Sequence, residues 1–236
     1  MMLWTLRFLI VLFYFRNAFA LKKQFCAPSD NVCLTKAVQE HVYDKFVKGL
    51  NGVEPSDPLY LDKVIVNQAN FNYTLYRPML LGMRNCNFMK LRLTQDEISK
   101  VTYELECPNL TIKAGYEVKG TINRIQAEGK DFCEIAFGVY NLNISGIYER
   151  TMGDDGKLHF HILSYNLELD QKAVSTVSYH NLFTHPTGMD DYFGKNLEKQ
   201  TRDLVMKKFL NKYVNNLKDF QRIVPIEEVH FRFVSE

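Results

Sequence analysis

The cysteines are the residues of this sequence whose type and spacing point most directly to chemistry, and two of them lie close together near the N-terminus. Cys26 and Cys33 are separated by six residues in the segment FCAPSDNVCL. In an oxidising compartment such a pair is more often a disulfide than a metal site. A zinc site would need two further ligands at paired spacing, and His41 alone does not supply them. We expect a Cys26–Cys33 disulfide that ties the N-terminus to the helix that follows.

The first twenty residues predict that compartment. They carry Arg7, an apolar run from Phe8 to Phe15 and the small residues Ala18 and Ala20. This pattern is typical of a secretory signal peptide, here residues 1–20, cleaved after Ala20. The apolar run is eight residues long, whereas a membrane span needs about 20. We therefore expect a secreted, extracellular chain of residues 21–236 with no stable membrane insertion.

Three further cysteines allow a second disulfide. The segments CNFMKLRL and VTYELEC flank the polar stretch TQDEISK, so a hairpin centred near Asp96 would place Cys86 opposite Cys107. We predict that Cys86 and Cys107 are bonded, although spacing alone does not determine connectivity and Cys133 is the alternative partner. On the first assignment Cys133 is a buried free thiol.

The sequence predicts no enzyme. It contains no GxSxG, HExxH, phosphate-loop or GxGxxG pattern. His159 and His161 alternate on a predicted strand and could form one edge of a metal site, but no third ligand is in view, so solvated histidines are the preferred interpretation. Asp154 and Asp155 stand beside glycine, as expected in a turn. We expect no catalytic residue, no metal and no cofactor.

Charge and composition indicate an ordinary globular domain. Hydrophobic residues make up 46% of the chain and charged residues 24%. Without the leader, which carries Arg7 and Arg16 and no acidic residue, the 29 basic residues fall to 27 and balance the 27 acidic ones. Such a neutral chain lacks the basic surface of a nucleic-acid-binding protein. The length suits one domain or one large two-layer unit.

Three glycosylation motifs support secretion and also predict a sheet. The acceptors are Asn72, Asn109 and Asn143. A glycan must point to solvent, so residues of opposite parity on the same strands face inward. All ten such residues are apolar or aromatic: Phe71, Tyr73, Leu75, Leu110, Ile112, Tyr116, Val118, Tyr140, Leu142 and Ile144. This alternation predicts an antiparallel sheet with one buried face.

The rest of the middle of the chain also has strand character. Within 157–169 the apolar parity changes near Leu163, which predicts a β-bulge and a bent strand. The stretches AEGK (127–130) and GDDGK (153–157) are interpreted as turns. Together these features predict a long, curved antiparallel meander with strands in 59–66, 69–76, 86–93, 101–122, 131–150, 157–169 and 172–180.

Helices are expected at the two ends of the domain. Ser29 or Asp30 can cap a helix from about residue 31 to 48, which Gly49 ends. A second helix begins near Asp190 or Asp191 and continues to about residue 220 or beyond. Its apolar residues recur at spacings of three and four, and they include Leu204, Leu210 and Tyr213.

These elements and several motifs resemble one family. The chain is similar to the insect takeout and haemolymph juvenile-hormone-binding family, within the wider group of tubular lipid-binding proteins. Besides the leader, the first cysteine pair and the long helix, the matching stretches are PSDPLYLDKVIV (55–66), NLTIKAGYEVKGTI (109–122), NLFTHP (181–186) and IVPIEEVHF (223–231). They occur in the family's order over nearly all of the mature chain.

The resemblance implies an α+β fold in which a long curved antiparallel sheet rolls around one long C-terminal helix and encloses an apolar tunnel. It implies a secreted carrier whose partner is a small hydrophobic ligand, such as a juvenile-hormone-like terpenoid or a fatty acid. Tyr73, Tyr116 and Tyr140 could each offer a hydroxyl to that ligand. The candidate lining is Phe71, Tyr73, Leu75, Leu110, Ile112, Tyr116, Val118, Tyr140, Leu142, Leu204, Leu210 and Tyr213.

A second hypothesis remains open at this stage. The same roll could serve as a secreted interaction or structural protein, with its cavity collapsed by the abundant phenylalanine and tyrosine. Ordinary core packing would then explain the candidate lining residues. Under either hypothesis the protein could also meet a receptor or transport partner of unknown identity.

Overall fold

The computed structural model describes residues 26–27, 29–95 and 99–229. Two of the predictions lie outside the described residues, namely the signal peptide at 1–20 and the centre of the turn near Asp96. The last two residues of the stretch IVPIEEVHF also lie outside them.

The N-terminal helical segment forms where its capping residues predict it. Helix α1 (Asn31–Ala37) continues through a π-helical turn (Val38–Tyr43) into α2 (Asp44–Lys48). The Asp30 carboxylate accepts a hydrogen bond from the Cys33 backbone N–H at 3.0 Å, so Asp30 rather than Ser29 caps the helix. Gly49 ends it with φ of 78°, a left-handed conformation that glycine adopts without strain.

The long C-terminal helix is confirmed. Helix α3 (Asp190–Ile223) contains 34 residues, and Asp190 and Asp191 lie in its first turn. Acidic side chains are favourable there because the helix dipole is positive at its N-terminus. At 1.5 Å per residue the helix is about 51 Å long, so it can extend along the whole β-structure.

The strands form two antiparallel sheets. In the large sheet the order is β1-β3-β6-β7-β10, with β2 paired to β3 and β11 paired to β7. In the small sheet the order is β4-β5-β8-β9. The strands are β1 (Leu59–Tyr60), β2 (Lys63–Asn67), β3 (Phe71–Leu81), β4 (Asn87–Gln95), β5 (Ser99–Cys107), β6 (Thr111–Ile122), β7 (Ile125–Ala136), β8 (Tyr140–Met152), β9 (Leu158–Gln171), β10 (Thr176–Tyr179) and β11 (Leu182–His185).

The bulge predicted near Leu163 is confirmed. Ile147 of β8 lies opposite Ser164, whereas the next residue, Tyr148, lies opposite Ile162. Leu163 is therefore the extra residue in β9. The GDDGK turn also forms between β8 and β9. The predicted strand 101–122 is instead two strands, because the chain leaves the small sheet after Cys107 and enters the large sheet at Thr111.

The turn predicted at AEGK is wrong, because these residues lie inside β7. The chain reverses instead at Asn123 and Arg124, whose positive φ values of 51° and 67° suit a two-residue hairpin turn. Gly129 has a different role from the one predicted. A Cβ atom there would lie 2.7 Å from the Tyr116 hydroxyl and 2.9 Å from the Asn181 carbonyl oxygen, so the glycine permits close approach within the sheet.

The inward-facing parity is confirmed along all three of its segments. Every one of the ten residues predicted to face inward is buried, whereas Asn72 and Asn109 are exposed and Asn143 is partly exposed. Helix α3 packs against strands of both sheets and covers their apolar faces. The domain is therefore built around one interior that the two sheets and α3 share.

Both predicted disulfides are present, Cys26–Cys33 and Cys86–Cys107. The first closes the N-terminal end of α1. The second joins the residue before β4 to the last residue of β5, which is the pairing that the hairpin register requires, since Asn87 lies opposite Glu106. Cys133 is a buried free cysteine, as predicted.

Cys133 allows a direct test of this packing. Burial raises the pKa of its thiol from 9.0 to about 12. Because the thiolate is the reactive form, we expect dithionitrobenzoate to leave the folded protein unmodified at about pH 8. In denaturant without reductant, one thiol per chain should react, since the other four cysteines form two disulfides.

The burial of Cys133 also makes the stability of the folded protein depend on pH. The unfolded thiol loses its proton near pH 9, but the folded thiol retains it to about pH 12. The contribution of Cys133 to stability is therefore complete below about pH 9 and is lost as the pH rises toward 12. Rapid labelling of the folded protein at mildly alkaline pH would contradict the buried position.

Candidate functional site

An apolar cavity lies between the small sheet, the N-terminal helical segment and the C-terminal half of α3. Its volume is about 60 Å³, and the empty space including solvent at its opening is about 790 Å³. A single water molecule needs roughly 10–15 Å³ of cavity volume. The cavity therefore has room for several water-sized groups.

The cavity walls come from six elements that are distant in sequence. The N-terminal helix, β4, β5, β8, β9 and α3 each contribute side chains, and Val224 follows the end of α3. The lining residues are Val38, Val42, Tyr43, Phe46, Phe88, Leu91, Leu93, Val101, Tyr103, Leu105, Ile144, Tyr148, Phe160, Tyr213, Leu217, Phe220, Gln221 and Val224. This list contains no charged side chain.

Strand and helix periodicity explain why these residues point the same way. On β5, Val101, Tyr103 and Leu105 alternate, so they share one face of the small sheet. On α3, the lining residues begin at Tyr213 and recur four, seven and eight positions later, which is one face of a helix. The periodicity of each strand or helix thus places its lining side chains on one face.

Edge-to-face aromatic contacts join the walls to one another. The Phe46 ring lies 5.1 Å from the Tyr213 ring and 5.5 Å from the Phe220 ring, which connects the N-terminal helix to α3. The Phe88 ring of β4 lies 5.1 Å from the Tyr43 ring and 6.2 Å from the Tyr103 ring. These two contacts connect β4 to the N-terminal helix and to β5. Such pairs stabilise packing beyond the area they bury.

Two of the lining tyrosines form hydrogen bonds, one with the other and one with the backbone. The Tyr43 hydroxyl donates to the Met83 carbonyl oxygen at 2.5 Å. The Tyr213 hydroxyl is hydrogen-bonded to Tyr43, which accepts because its own proton is already donated. Burial raises the pKa of both phenols well above the ordinary range, so both remain neutral.

A second polar group lies where α3 meets β5. The Gln221 side-chain nitrogen, Nε2, donates to the Tyr103 hydroxyl oxygen at 3.1 Å. The amide oxygen Oε1 of Gln221 is buried and has no hydrogen-bond partner among the described residues. Burial raises the pKa of Tyr103, which keeps this phenol neutral as well. The cavity is therefore apolar, with uncharged hydrogen-bonding groups on its α3 and β5 walls.

The twelve candidate lining residues are divided between the cavity wall, the filled core and the surface. Only Tyr213 belongs to the cavity wall. Ten others are buried in the core without lining this cavity: Phe71, Tyr73, Leu75, Leu110, Ile112, Tyr116, Val118, Tyr140, Leu142 and Leu210. Leu204 is 41% exposed, which corrects its assignment to the apolar face of α3. It deviates from that face because Val205 and Met206 beside it occupy the buried positions.

The large-sheet half of the interior is filled by tyrosines. The Tyr73 and Tyr179 hydroxyls lie 3.1 Å apart, and Tyr116 donates to the His180 carbonyl oxygen at 2.6 Å. The Tyr116 and Tyr179 rings pack edge to face at 4.9 Å. The hydroxyls of Tyr73 and Tyr116, which the sequence suggested for a ligand, are thus used within the core. For Tyr140, burial raises the pKa of the phenol to about 12.

The remaining lining residues were not singled out from the sequence. Phe88, Leu91, Val101, Tyr103 and Leu105 lie in segments that were predicted as strands from their composition. Strand character alone does not indicate that the space opposite these side chains is incompletely filled.

The two strand histidines have different environments. His159 is buried: its Nε2 lies 3.0 Å from an Asp155 carboxylate oxygen, and its Nδ1 lies 3.2 Å from the Gln221 carbonyl oxygen. The prediction of a solvated His159 is therefore wrong, because the chain end of α3 covers it. His161 is exposed. Within the described ranges, no cluster of three or more His, Cys, Asp or Glu residues could hold a metal ion.

In the described part of the chain, no helix combines the length and the apolar character needed to cross a bilayer.

The described residues thus form a curved antiparallel structure packed on a long helix, with an apolar cavity between them. The sequence model of the family described as haemolymph juvenile hormone binding protein (JHBP) matches residues 8–219. The chain belongs to this family. These are binding proteins, and family and fold together suggest a carrier of lipophilic ligands.

A solved structure supports the fold independently. The crystal structure of Epiphyas postvittana Takeout 1 matches with a TM-score of 0.76 at 23% sequence identity, and the match covers 87% of this chain and 98% of that chain. The takeout-type fold predicted from the sequence is therefore confirmed, including the antiparallel sheet, the long C-terminal helix and the short N-terminal helix. A comparison with curated protein sequences finds no match.

The His159 contacts predict that replacing His159 destabilises the protein more than replacing His161. His159→Ala should lower the free energy of unfolding by about 1–3 kcal/mol, because it removes the His159 contacts to Asp155 and to the Gln221 carbonyl and opens a void beside the cavity. Urea unfolding followed by circular dichroism measures this. The matched control, His161→Ala, should change stability by no more than about 0.5 kcal/mol. Equal effects of the two substitutions would show that the His159 contacts contribute nothing.

Proposed function

We propose that this protein is a secreted carrier that binds the apolar chain of a small lipophilic ligand in the cavity between the small sheet and α3. The observation that carries the proposal is the cavity itself, which is lined by apolar and aromatic side chains and no charge. Membership of a family of juvenile-hormone-binding proteins supports it. Terpenoids and fatty-acid derivatives are the ligand classes that fit this chemistry.

The physical basis is the removal of hydrocarbon from water. Each buried CH₂ group contributes about 0.8 kcal/mol, so a chain of about eight carbons gains roughly 6 kcal/mol before association costs. Preformed walls reduce those costs because few side chains need ordering. The role requires no catalytic group, and the neutral tyrosines add hydrogen-bonding sites without the desolvation cost of a charge.

Secretion and processing are part of the same proposal. We propose cleavage after Ala20 and glycosylation of Asn72, Asn109 and Asn143 in the secretory pathway. Two disulfides fit an oxidising compartment. The exposure of Asn72 and Asn109, and the partial exposure of Asn143, are compatible with attached glycans.

A substitution that fills the cavity tests the proposal. Val101 lines the cavity from β5, so Val101→Phe should place a ring in the space that a ligand chain would occupy. For the delipidated mature chain, residues 21–236, we expect methyl decanoate and decan-1-ol to raise the melting temperature with a saturable dependence. In Val101→Phe the dissociation constants should rise at least about tenfold, because the ring displaces several CH₂ groups.

The control is Val174→Phe, which makes the same change at a side chain that is 88% exposed. It should bind both compounds as the unmodified protein does. Circular dichroism and the ligand-free melting temperature establish that Val101→Phe is folded. If neither compound bound the unmodified protein, the carrier proposal would fail, and an interaction or structural role with a collapsed cavity would replace it.

A further inference from the structure

The outer face of the large sheet, away from α3, carries an open cleft with aromatic walls. Its lining includes Tyr60, Tyr76, Met79 and Phe132, with Gly115 as the floor between Tyr76 and Phe132. The three aromatic side chains are exposed. Exposed apolar groups that lie side by side mark a surface that another group covers. We refer to these five residues as the aromatic cleft.

Gly115 keeps the floor of the aromatic cleft open. It lies opposite Tyr76 of β3 and opposite Phe132 of β7, so the backbones of the two aromatic residues are two strand spacings apart, about 10 Å. The Gly115 backbone is not left-handed, and a Cβ atom there would meet no heavy atom closer than 3.6 Å, so packing within the chain does not require a glycine. A glycine inside a strand often marks a place where another group approaches the backbone closely.

Contacts on the sheet hold the two aromatic walls in place. The Tyr76 hydroxyl donates to a Glu117 carboxylate oxygen at 2.7 Å, and the Lys63 Nζ atom lies 5.1 Å from the centre of the Tyr76 ring. On the other wall, the Phe132 ring lies 6.0 Å from the His180 ring. Walls that are already ordered lower the entropy cost of binding.

Hydrogen-bond donors and acceptors border the aromatic cleft. Arg77 and Asp62 are exposed at its rim, and Lys113 pairs there with Glu134 at 3.2 Å. The φ of Arg77 is 45°, a strained conformation of a kind that clusters at binding sites. A sugar ring matches this arrangement, because its C–H face packs on the negative face of an aromatic ring and its hydroxyls both donate and accept hydrogen bonds.

A glycosylation motif lies on the same face of the sheet. Asn72, Thr74 and Tyr76 alternate along β3 and face outward, and Asn72 is about 13 Å from Tyr76 along the strand. Ile65 lies opposite Thr74 on β2 and is half exposed, so apolar surface continues from the glycosylation motif to the aromatic cleft. A glycan on Asn72 can follow this surface.

Building on the proposed glycosylation of Asn72, we propose that the glycan on this residue folds back along β3 and packs its sugar rings into the aromatic cleft. Tyr76 and Phe132 contact the C–H faces of the sugars, and Arg77 and Asp62 bind their hydroxyls. The glycan then covers apolar surface on the outside of the large sheet. Lipid binding in the cavity beside the small sheet does not depend on it.

Release of the glycan from the folded protein tests the docking. The chain is secreted from a glycosylating host and treated with an amidase that removes N-linked glycans, and mass spectrometry follows the peptide that contains Asn72. Docking shields the glycan from the amidase, so Phe132→Thr should speed its release roughly twofold to tenfold, as the loss of one aromatic contact predicts. After unfolding, both proteins should lose the glycan at the same rate.

Two further variants locate the effect. Gly115→Val fills the floor of the aromatic cleft and leaves both walls in place, so it should also speed release. The matched control is Phe183→Thr, which removes an exposed ring of the same sheet that lies outside the aromatic cleft and should leave the rate unchanged. In NMR spectra, sugar protons packed on the aromatic rings should shift upfield, and this shift should disappear in Phe132→Thr. Circular dichroism establishes that each variant is folded.

The outcomes separate this inference from the proposed function. If Asn72 carried no glycan, its proposed glycosylation and the docking would fail together, and lipid binding would stand. If the glycan were present but Phe132→Thr and Gly115→Val released it no faster than the unmodified protein, the docking alone would be refuted. Acceleration in Phe183→Thr but not in Phe132→Thr would refute the aromatic cleft as the place of docking, as would an upfield shift that persists in Phe132→Thr.

Discussion

One long helix packs against two curved sheets, and this packing limits the volume in which the interior side chains must fit. Helix α3 covers the apolar faces of both sheets, so every inward-facing side chain competes for the same limited volume. On the side of the large sheet, Tyr73, Tyr116 and Tyr179 fill that volume and satisfy one another's hydroxyls or a backbone carbonyl. On the side of the small sheet, the packing leaves a cavity. The position of the candidate site therefore follows from the volumes of the side chains that meet there, and not from which residues face inward.

This distinction explains what the sequence could predict. Strand parity, the bulge at Leu163 and the Cys86–Cys107 disulfide depend on alternation and pairing between neighbouring segments, and each was predicted correctly. The turn at AEGK was mistaken because Gly129 serves close packing in a strand, a role that is local in space but not in sequence. The cavity could not be placed for a similar reason. A residue in a cavity wall and a residue in a filled core show the same alternation, and only the summed volumes across β4, β5, β8 and α3 separate them.

The sequence also does not show which polar groups of the interior already have hydrogen-bond partners. The sequence indicated that tyrosine hydroxyls could meet a ligand, and it named Tyr73 and Tyr116 of the large sheet and Tyr140 of the small sheet. Two of these hydroxyls have partners far away along the chain: Tyr73 lies 3.1 Å from the Tyr179 hydroxyl, and Tyr116 donates to the His180 carbonyl. Because these partners come from other elements, the sequence does not reveal which hydroxyls are already used. Gln221 has no local pattern at all, since its position depends on where α3 ends against β5 and β9.

The N-terminal helix closes the cavity, and its attachment shows how the fold combines closure with protection of a sheet edge. In the small sheet, β4 is an edge strand whose outward N–H groups would otherwise be open to another chain. The Thr35 hydroxyl oxygen accepts from the Leu91 N–H at 2.8 Å, and the Gln39 side-chain oxygen accepts from the Phe88 N–H at 2.7 Å. The same helical segment also supplies Val38, Val42 and Phe46 to the cavity wall. The Cys26–Cys33 disulfide restrains the start of this segment. The cysteine pair thus helps to hold in place the helix that covers both the strand edge and the cavity.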